Sequence, residues 1–440
     1  MPRTSYKQKI VTNLKKIWLD RQAKRLLNFV LHDGSNSGNN DNNDNSTIDA
    51  ILDLASDAAW RNANNQRYIF FPKYRKGNNL HIFARDLYED PTGEQLPWLT
   101  DEEFREKYRM GRDSFWMLVD LIKAHPVFES NNRKKQAPVP HQVMVFLYYL
   151  GCSGSGASNP KMRNSFCLGR GTATLYRNRV AIAIRSLRDK AINWPNEEER
   201  KEIAKRVMLK YNLPNCIAVA DGTLFPLTYE PQAVDAPDYK GRKYLYSLTV
   251  MIVNDDNRRI RYYLAGYPGS VHDYRVYSNS RLARAPWAYF GNKYYLVGDS
   301  AFKCSHSVVA AFKAPRGHDL SNDEKKFNTQ LSKFRICSEH TIGLLKGRFP
   351  WLRSIPMVIT DNPRSVKKIV KYIDCCVILH NLLIDADGDI PGSWLEDVDD
   401  ASDIAAITGD DALVQELNSS QHDNLERRRR LFEYLRDFVL

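Results

Sequence analysis

Two short apolar runs that end in carboxylates constrain this chain more than any other feature. Cys216-Ile217-Ala218-Val219-Ala220 stops at Asp221-Gly222, and Tyr294-Tyr295-Leu296-Val297 stops at Gly298-Asp299. A continuous apolar run of this length, bounded by turn residues, reads as a strand buried on both faces. Sheets with parallel strands carry their reactive groups at such carboxyl ends. Tyr244 to Val253 and Arg259 to Tyr267 read as two more strands, joined by the turn Asn254-Asp255-Asp256-Asn257, and are expected to pair as a hairpin. Val308 to Phe312 is a candidate fifth strand. Helical spacing then takes over in Asp323 to Phe349, through Phe327, Leu331, Phe334, Ile342 and Leu345, and again from Ser365 to Leu383. The order predicts an α/β domain, a mixed sheet flanked by helices.

The 440 residues leave room for two or three domains. Upstream of the sheet the spacing is mainly helical: Phe104, Tyr108, Phe115, Leu118 and Ile122 mark a part that reads helical, and His141 to Leu150 is an apolar helix. A Gly/Ser loop, a short segment Met162 to Cys167 and a glycine turn then lead to a helix from Thr172, with Leu175, Val180 and Ile184 expected on or near one face. Tyr176, Arg177, Arg179, Arg185 and Arg188 decorate the remainder, which is the layout of an all-α helix-turn-helix unit whose last helix contacts DNA. A helical hairpin that only packs on its neighbour fits the same pattern. The expected organisation is a basic helix over 1–32, a flexible Asn/Asp/Ser/Gly linker over 33–46, and a helical region over 47–200 with the helix-turn-helix at 141–190. A catalytic domain over 216–385 and an acidic tail with a terminal helix over 386–440 follow.

Charge supports a polyanionic partner. Lys and Arg number 64 against 52 Asp and Glu, a net of +12. From Asp385 onward 15 acids face 5 bases, a net of −10, so the preceding chain holds 59 bases against 37 acids, or +22. A basic body fits nucleic acid, although a merely solvated surface has the same sign. Seven cysteines without a CxxC pair give neither a disulfide framework nor a zinc ribbon, and no apolar stretch approaches the roughly 20 residues of a membrane span. Neither a nucleophile elbow nor a phosphate-binding glycine loop follows a strand. The clusters Arg133-Lys134-Lys135 and Arg427 to Arg430 are compatible with nuclear import and with plain solvated surface.

Asp221 and Asp299 are expected at strand ends, and Glu339 falls mid-helix between Ile336 and Ile342 with Arg335 and Gly343 one turn to either side. Three converging carboxylates require cations, and an all-oxygen set selects Mg²⁺ or Mn²⁺, with two ions suited to phosphodiester cleavage. The alternative makes the two aspartates turn residues and pairs Glu339 with Arg335 or Lys346.

The ordered segments Ala220-Asp221-Gly222-Thr223, Asp238 to Lys243, Leu264 to Val276, Val297 to Phe302, Ser338 to Phe349 and Val377 to Asn381 resemble the PIF/Harbinger transposases and their domesticated relatives over about Cys216 to Asp385. The resemblance implies a ribonuclease-H-like fold and a DDE endonuclease with the triad Asp221, Asp299 and Glu339 as catalytic and metal-binding residues. These are separated by 78 and 40 residues. It also makes His272-Asp273 a shared feature, with Asp273 the second choice for the middle carboxylate. At Glu339-His340-Thr341-Ile342-Gly343 relatives more often carry Arg after the Glu and an aromatic before the Gly. Lys240, Arg242, Lys243, Lys346 and Arg348 are expected on DNA phosphates. The implied function is metal-dependent cleavage at transposon ends in the nucleus, on double-stranded DNA, with a Myb-like partner protein and a homo-oligomer among the implied associations. A domesticated factor that binds without cutting is the alternative.

Overall fold

The computed structural model describes residues 99–129, 136–166, 168–169, 171–241, 244–314, 318–387, 394 and 421–439. The expected helix over 1–32, the linker over 33–46, the cluster Arg133-Lys134-Lys135, the pair Arg242 and Lys243, and most of the acidic tail lie outside the described residues. Two compact units divide the chain: Met1–Lys107, Phe115–Phe146 and Asn159–Val180 form one, and Tyr108–Ser114, Leu147–Ser158 and Ala181–Leu440 the other.

The first unit draws on α1 (Asp101–Tyr108), α2 (Arg112–Ile122), α3 (Val139–Leu150), α4 (Asn159–Phe166) and α5 (Thr172–Arg185), the last of which runs on into the second unit. The part expected to be helical from Phe104 to Ile122 forms two helices, separated where Arg109 takes a left-handed φ of 64°. Its apolar set is nonetheless buried, and Phe104 meets Phe115 edge to face at 5.6 Å. A capping box starts α1: Glu103 N donates to Thr100 Oγ1 at 3.2 Å and Thr100 N to Glu103 Oε2 at 2.8 Å. Such a cap stabilises a helix start by about 1 kcal/mol. Thr172 opens α5 as its first helical residue, and of the three apolar residues expected on one face Val180 and Ile184 are buried while Leu175 is not. Ala173, Tyr176, Arg177, Val180, Ala181 and Ile184 are buried, whereas Leu175 is exposed. Alanine at 173 and 181 completes the i, i+3, i+4 stripe, which a count of large apolar residues misses.

In the second unit five strands lie in the order β3-β2-β1-β4-β5: β1 (Cys216–Pro226), β2 (Ser247–Asn254), β3 (Ile260–Pro268), β4 (Tyr295–Gly298) and β5 (Val308–Ala310). β1, β2 and β3 are antiparallel neighbours, while β4 and β5 run parallel to β1, so the sheet is mixed as expected. Residues 216–220 and the whole of β2 are buried, which explains their uninterrupted apolar character. The hairpin turn is held by Asp255, whose Oδ1 accepts from Asn257 N at 2.9 Å and Arg259 N at 3.1 Å.

Helices cover the sheet. α6 (Glu197–Tyr211) packs on β1, the short α7 (Asp273–Ser278) on β2 and β3, α8 (Asn322–Arg348) on β1, β2 and β4, and α9 (Arg364–Ala386) on β3. Capping boxes at Asn196–Glu199 and Ser321–Glu324 start α6 and α8. In α9 the Asn381 side chain clamps the first residue of β3, its Oδ1 accepting from Ile260 N at 2.9 Å and its Nδ2 donating to Ile260 O at 2.7 Å. The His380-Asn381 pair is therefore a structural clasp. α10 (Gln421–Phe438) docks on α8 and β5 and sends Leu431 and Leu435 into the central core. Arg427 donates to Lys293 O and Asn292 O at 2.9 Å each, and the exposed Arg430 pairs with Glu426 one turn away. Among the described residues no helix is long and apolar enough to cross a membrane.

Candidate active site

The sheet register places the aspartates. β1 continues through Asp221 to Pro226, so Asp221 is not at a strand tip; from here on β1 pairs only with antiparallel β2. Its parallel pairing with β4 ends at Val219 opposite Val297. Asp221 and Asp299 each lie two residues beyond that pair, on strands whose neighbours sit about 4.8 Å apart. Both therefore emerge at the carboxyl edge of the parallel half of the sheet. Gly222 N donates to Asp221 Oδ1 and Ala301 N to Asp299 Oδ1, both at 2.9 Å.

A third carboxylate joins them. A Cβ on Gly222 would stand 2.0 Å from the Asp273 carboxyl carbon, so Asp273, the first residue of α7, lays its carboxylate across the glycine next to Asp221. The preceding loop needs the same economy: a Cβ on Gly269 would meet Ser247 Oγ at 2.2 Å. Asp221 keeps some exposed surface, yet the protein packed around it disfavours its charge. That burial pushes its pKa up to about 7; Arg335 opposes the rise, and Asp299 and Asp273 add to it. The structure thus brings Asp221, Asp299, Asp273 and Arg335 into one electrostatic cluster.

Glu339 is half-buried on α8, one turn beyond Arg335, with Phe334, Ser338 and Ile342 buried and Ile336 exposed. It is not among the groups that act on Asp221. Among the described residues no three His, Cys, Asp or Glu side chains converge as a ready metal cage. The chemistry of the donor set fits a hard divalent cation, because neighbouring carboxylates lose their mutual repulsion when a cation stands between them.

Gly222→Ala is expected to displace the Asp273 carboxylate, leave the fold intact by circular dichroism and lower any cleavage by about 100-fold, the scale of a 1 Å misplacement. Unchanged cleavage would remove Asp273 from the site.

The expected DNA contacts divide. Tyr176 and Arg177 are buried, and Arg177 donates within its own helix to Ala173 O at 3.3 Å and Thr174 Oγ1 at 3.0 Å, so neither can read a groove. Arg185 is held by Asp374 at 2.8 Å, and Arg348 is buried against Asp387 at 3.0 Å. Arg348 thus serves a buried acid of the fold, while Arg185 pairs with one and keeps 45% of its side-chain surface exposed. Arg179 is half-buried, Lys346 is half-buried with its ammonium 5.8 Å from the Phe225 ring centre, and Lys240 is exposed. His272 is exposed and precedes α7 without a side-chain cap bond.

Sequence reasoning missed Asp374, a buried acid in the middle of α9 that accepts from Arg185, Arg188 and the Tyr263 hydroxyl. A charge inside the otherwise apolar run Ile373 to Leu379 was its signal.

A mixed five-strand sheet, helix-covered and carrying acids where its parallel strands end, defines a ribonuclease-H-like endonuclease architecture. Residues 220–381 match the model of the DDE superfamily endonuclease family. The chain is similar to Protein ALP1-like of Arabidopsis thaliana, 24% identical over 69% of this chain and 74% of that protein. It is also similar to Putative nuclease HARBI1 of Homo sapiens, 24% identical over 67% of this chain and 81% of that protein. A third relative is the Probable transposase for insertion sequence element IS702 of Microchaete diplosiphon, 20% identical over 58% of this chain and 86% of that protein. No solved structure matches.

Proposed function

We propose that this chain is a Harbinger-type DNA transposase or endonuclease that cuts phosphodiester bonds at transposon ends with divalent metal. The observation that carries the reading is the shared register of Asp221 and Asp299 beyond the last parallel pair, on a DDE endonuclease domain. Asp221, Asp299 and Glu339 would hold Mg²⁺ or Mn²⁺, with Asp273 beside them. When bound, such ions lower the pKa of an attacking water and offset charge on the leaving oxygen.

The rest is done by the chain. β1 and β4 fix the two aspartates on rigid backbone, and Gly222 N and Ala301 N orient their carboxylates. Arg335 supplies the counter-charge that keeps Asp221 ionisable. Lys240 and Lys346 are the proposed phosphate contacts of the described set, and Arg242 and Lys243 extend it. Nuclear location, a Myb-like partner and self-association remain part of this reading through the resemblance.

The test incubates purified protein with terminal-repeat duplex and Mg²⁺ or Mn²⁺, beside Asp299→Asn. Strand cleavage by the parent and none by the variant is the expected result. No cleavage by the parent, with retained binding, would replace the reading by that of a DNA-binding factor; equal cleavage by the variant would remove Asp299 from the site.

A further inference from the structure

A cavity of about 1190 Å³ opens where β1, β4 and β5 begin, lined there by Asn215, Tyr295 and Ser307 and flanked by α7 and α10. Tyr274, in the first turn of α7, and Lys303 also line it, one residue beyond Asp273 and four beyond Asp299 in sequence. At its rim the Trp287 ring stacks on His306 with centres 3.9 Å apart and planes 29° from parallel. His306 Nε2 is in turn held at 2.8 Å by Gly291 O, which fixes the ring beneath the indole. Trp287 nevertheless stays 60% exposed, so its outer face is an open, pre-oriented platform.

The remaining lining is cationic. Lys293, Lys303, Arg427 and Arg430 face the space against the single acid Glu426, which is already paired with Arg430. Lys303 is exposed, its ammonium 5.2 Å from the Tyr274 ring centre. Deeper in, Tyr295 is 2% exposed and its hydroxyl has no hydrogen-bond partner. A buried hydroxyl without a partner is costly, and one that borders a cavity is satisfied by a polar group entering it.

We propose that this cavity binds one unpaired nucleotide of a DNA strand, its base stacked on Trp287 and its phosphates on Lys303 and Lys293. A flat aromatic platform beside cations matches a nucleotide, since every base offers a π face and each linkage a negative charge. The proposal deepens the DNA-cleavage reading and rests on it for the choice of DNA as the ligand.

Binding is read without cleavage, on the full chain in EDTA, with a DNA hairpin that carries one unpaired terminal 2-aminopurine. A hairpin with the 2-aminopurine paired inside the stem and free dAMP serve as the comparison arms. The unpaired probe is expected to be quenched and to bind more tightly than the paired one, with dAMP competing only weakly. Trp287→Ala should lose the quenching and about tenfold in affinity, the scale of one base stack. Trp287→Phe should retain both, and Lys303→Ala should lower the salt slope by about one with quenching kept. Equal binding of paired and unpaired probes, or a folded Trp287→Ala protein that still quenches, overturns the proposal. Strong competition by dAMP overturns the strand and leaves a free-nucleotide site. Asp299→Asn should quench like the parent while failing to cut, so loss of the cleavage reading and loss of the nucleotide site give different results.

Discussion

Asp221→Asn is expected to make the metal-free protein more stable at pH 8 while reducing cleavage by on the order of 100-fold or more, the scale for losing a metal ligand's support. The stabilisation follows from the raised pKa. With a folded value of about 7 above the ordinary 3.8, the native state binds the proton more tightly than the unfolded chain does. The stability gained from that proton is complete below pH 4 and is lost as pH rises through 7. At pH 8 the parent therefore carries an unfavourable ionised carboxylate that asparagine does not. Because Asp221 is partly exposed, solvent screening limits the gain to about 1–2 kcal/mol. Thermal melts in EDTA check this: the variant should melt above the parent at pH 8, and the difference should vanish at pH 4. Adding Mg²⁺ should raise the parent's melting temperature more than the variant's. Identical melts at both pH values would show that the acids do not strain one another.

Asp374→Ala is expected to lower stability by about 3 kcal/mol and the melting temperature by about 10 °C. Asp374 is 2% exposed and accepts from Arg185 Nε at 2.8 Å, Arg188 at 3.1 Å and the Tyr263 hydroxyl. It thereby joins the last turn of α5 and the turn Arg188–Ala191 to α9 and β3. The two arginines keep 45% and 43% of their side-chain surface and can be rehydrated when the acid is removed. Tyr263, 4% exposed, keeps only the Arg188 guanidinium, a donor, beside its hydroxyl. The cost therefore comes mainly from the stranded tyrosine proton and the space left behind. Arg185→Ala should cost less than Asp374→Ala, because the buried carboxylate keeps Arg188 and the Tyr263 hydroxyl as donors. Calorimetric melts of the three proteins separate these contributions, and an Asp374→Ala melt within 2 °C of the parent would contradict the assignment.

Much of the fold is legible in the sequence because burial imposes a strict pattern. Runs at 216–220, 248–253 and 295–297 could only be strands enclosed on both sides, and all five strands fall where the apolar runs stand. α8 and α9 likewise follow the spacing of Phe327, Leu331 and Phe334 and of Ile369, Tyr372 and Ile373. The residues of the acidic cluster are also legible in the sequence, Asp221 and Asp299 because they follow the two runs that become neighbours, and Asp273 and Arg335 as secondary candidates. Less legible was α5, where alanines rather than leucines mark the inward face and turn Tyr176 and Arg177 inside.

What the sequence determined by itself was the set of elements and the identity of the acids, because local period and turn chemistry are properties of a few adjacent residues. Only the tertiary structure decided which charges meet. The position of Asp273 over Gly222, the capture of Arg185 by Asp374 and of Arg348 by Asp387, and the platform of Trp287 on His306 all join residues from separate elements. Register and packing set those distances, and the energy of a charge depends on its neighbours in space rather than along the chain.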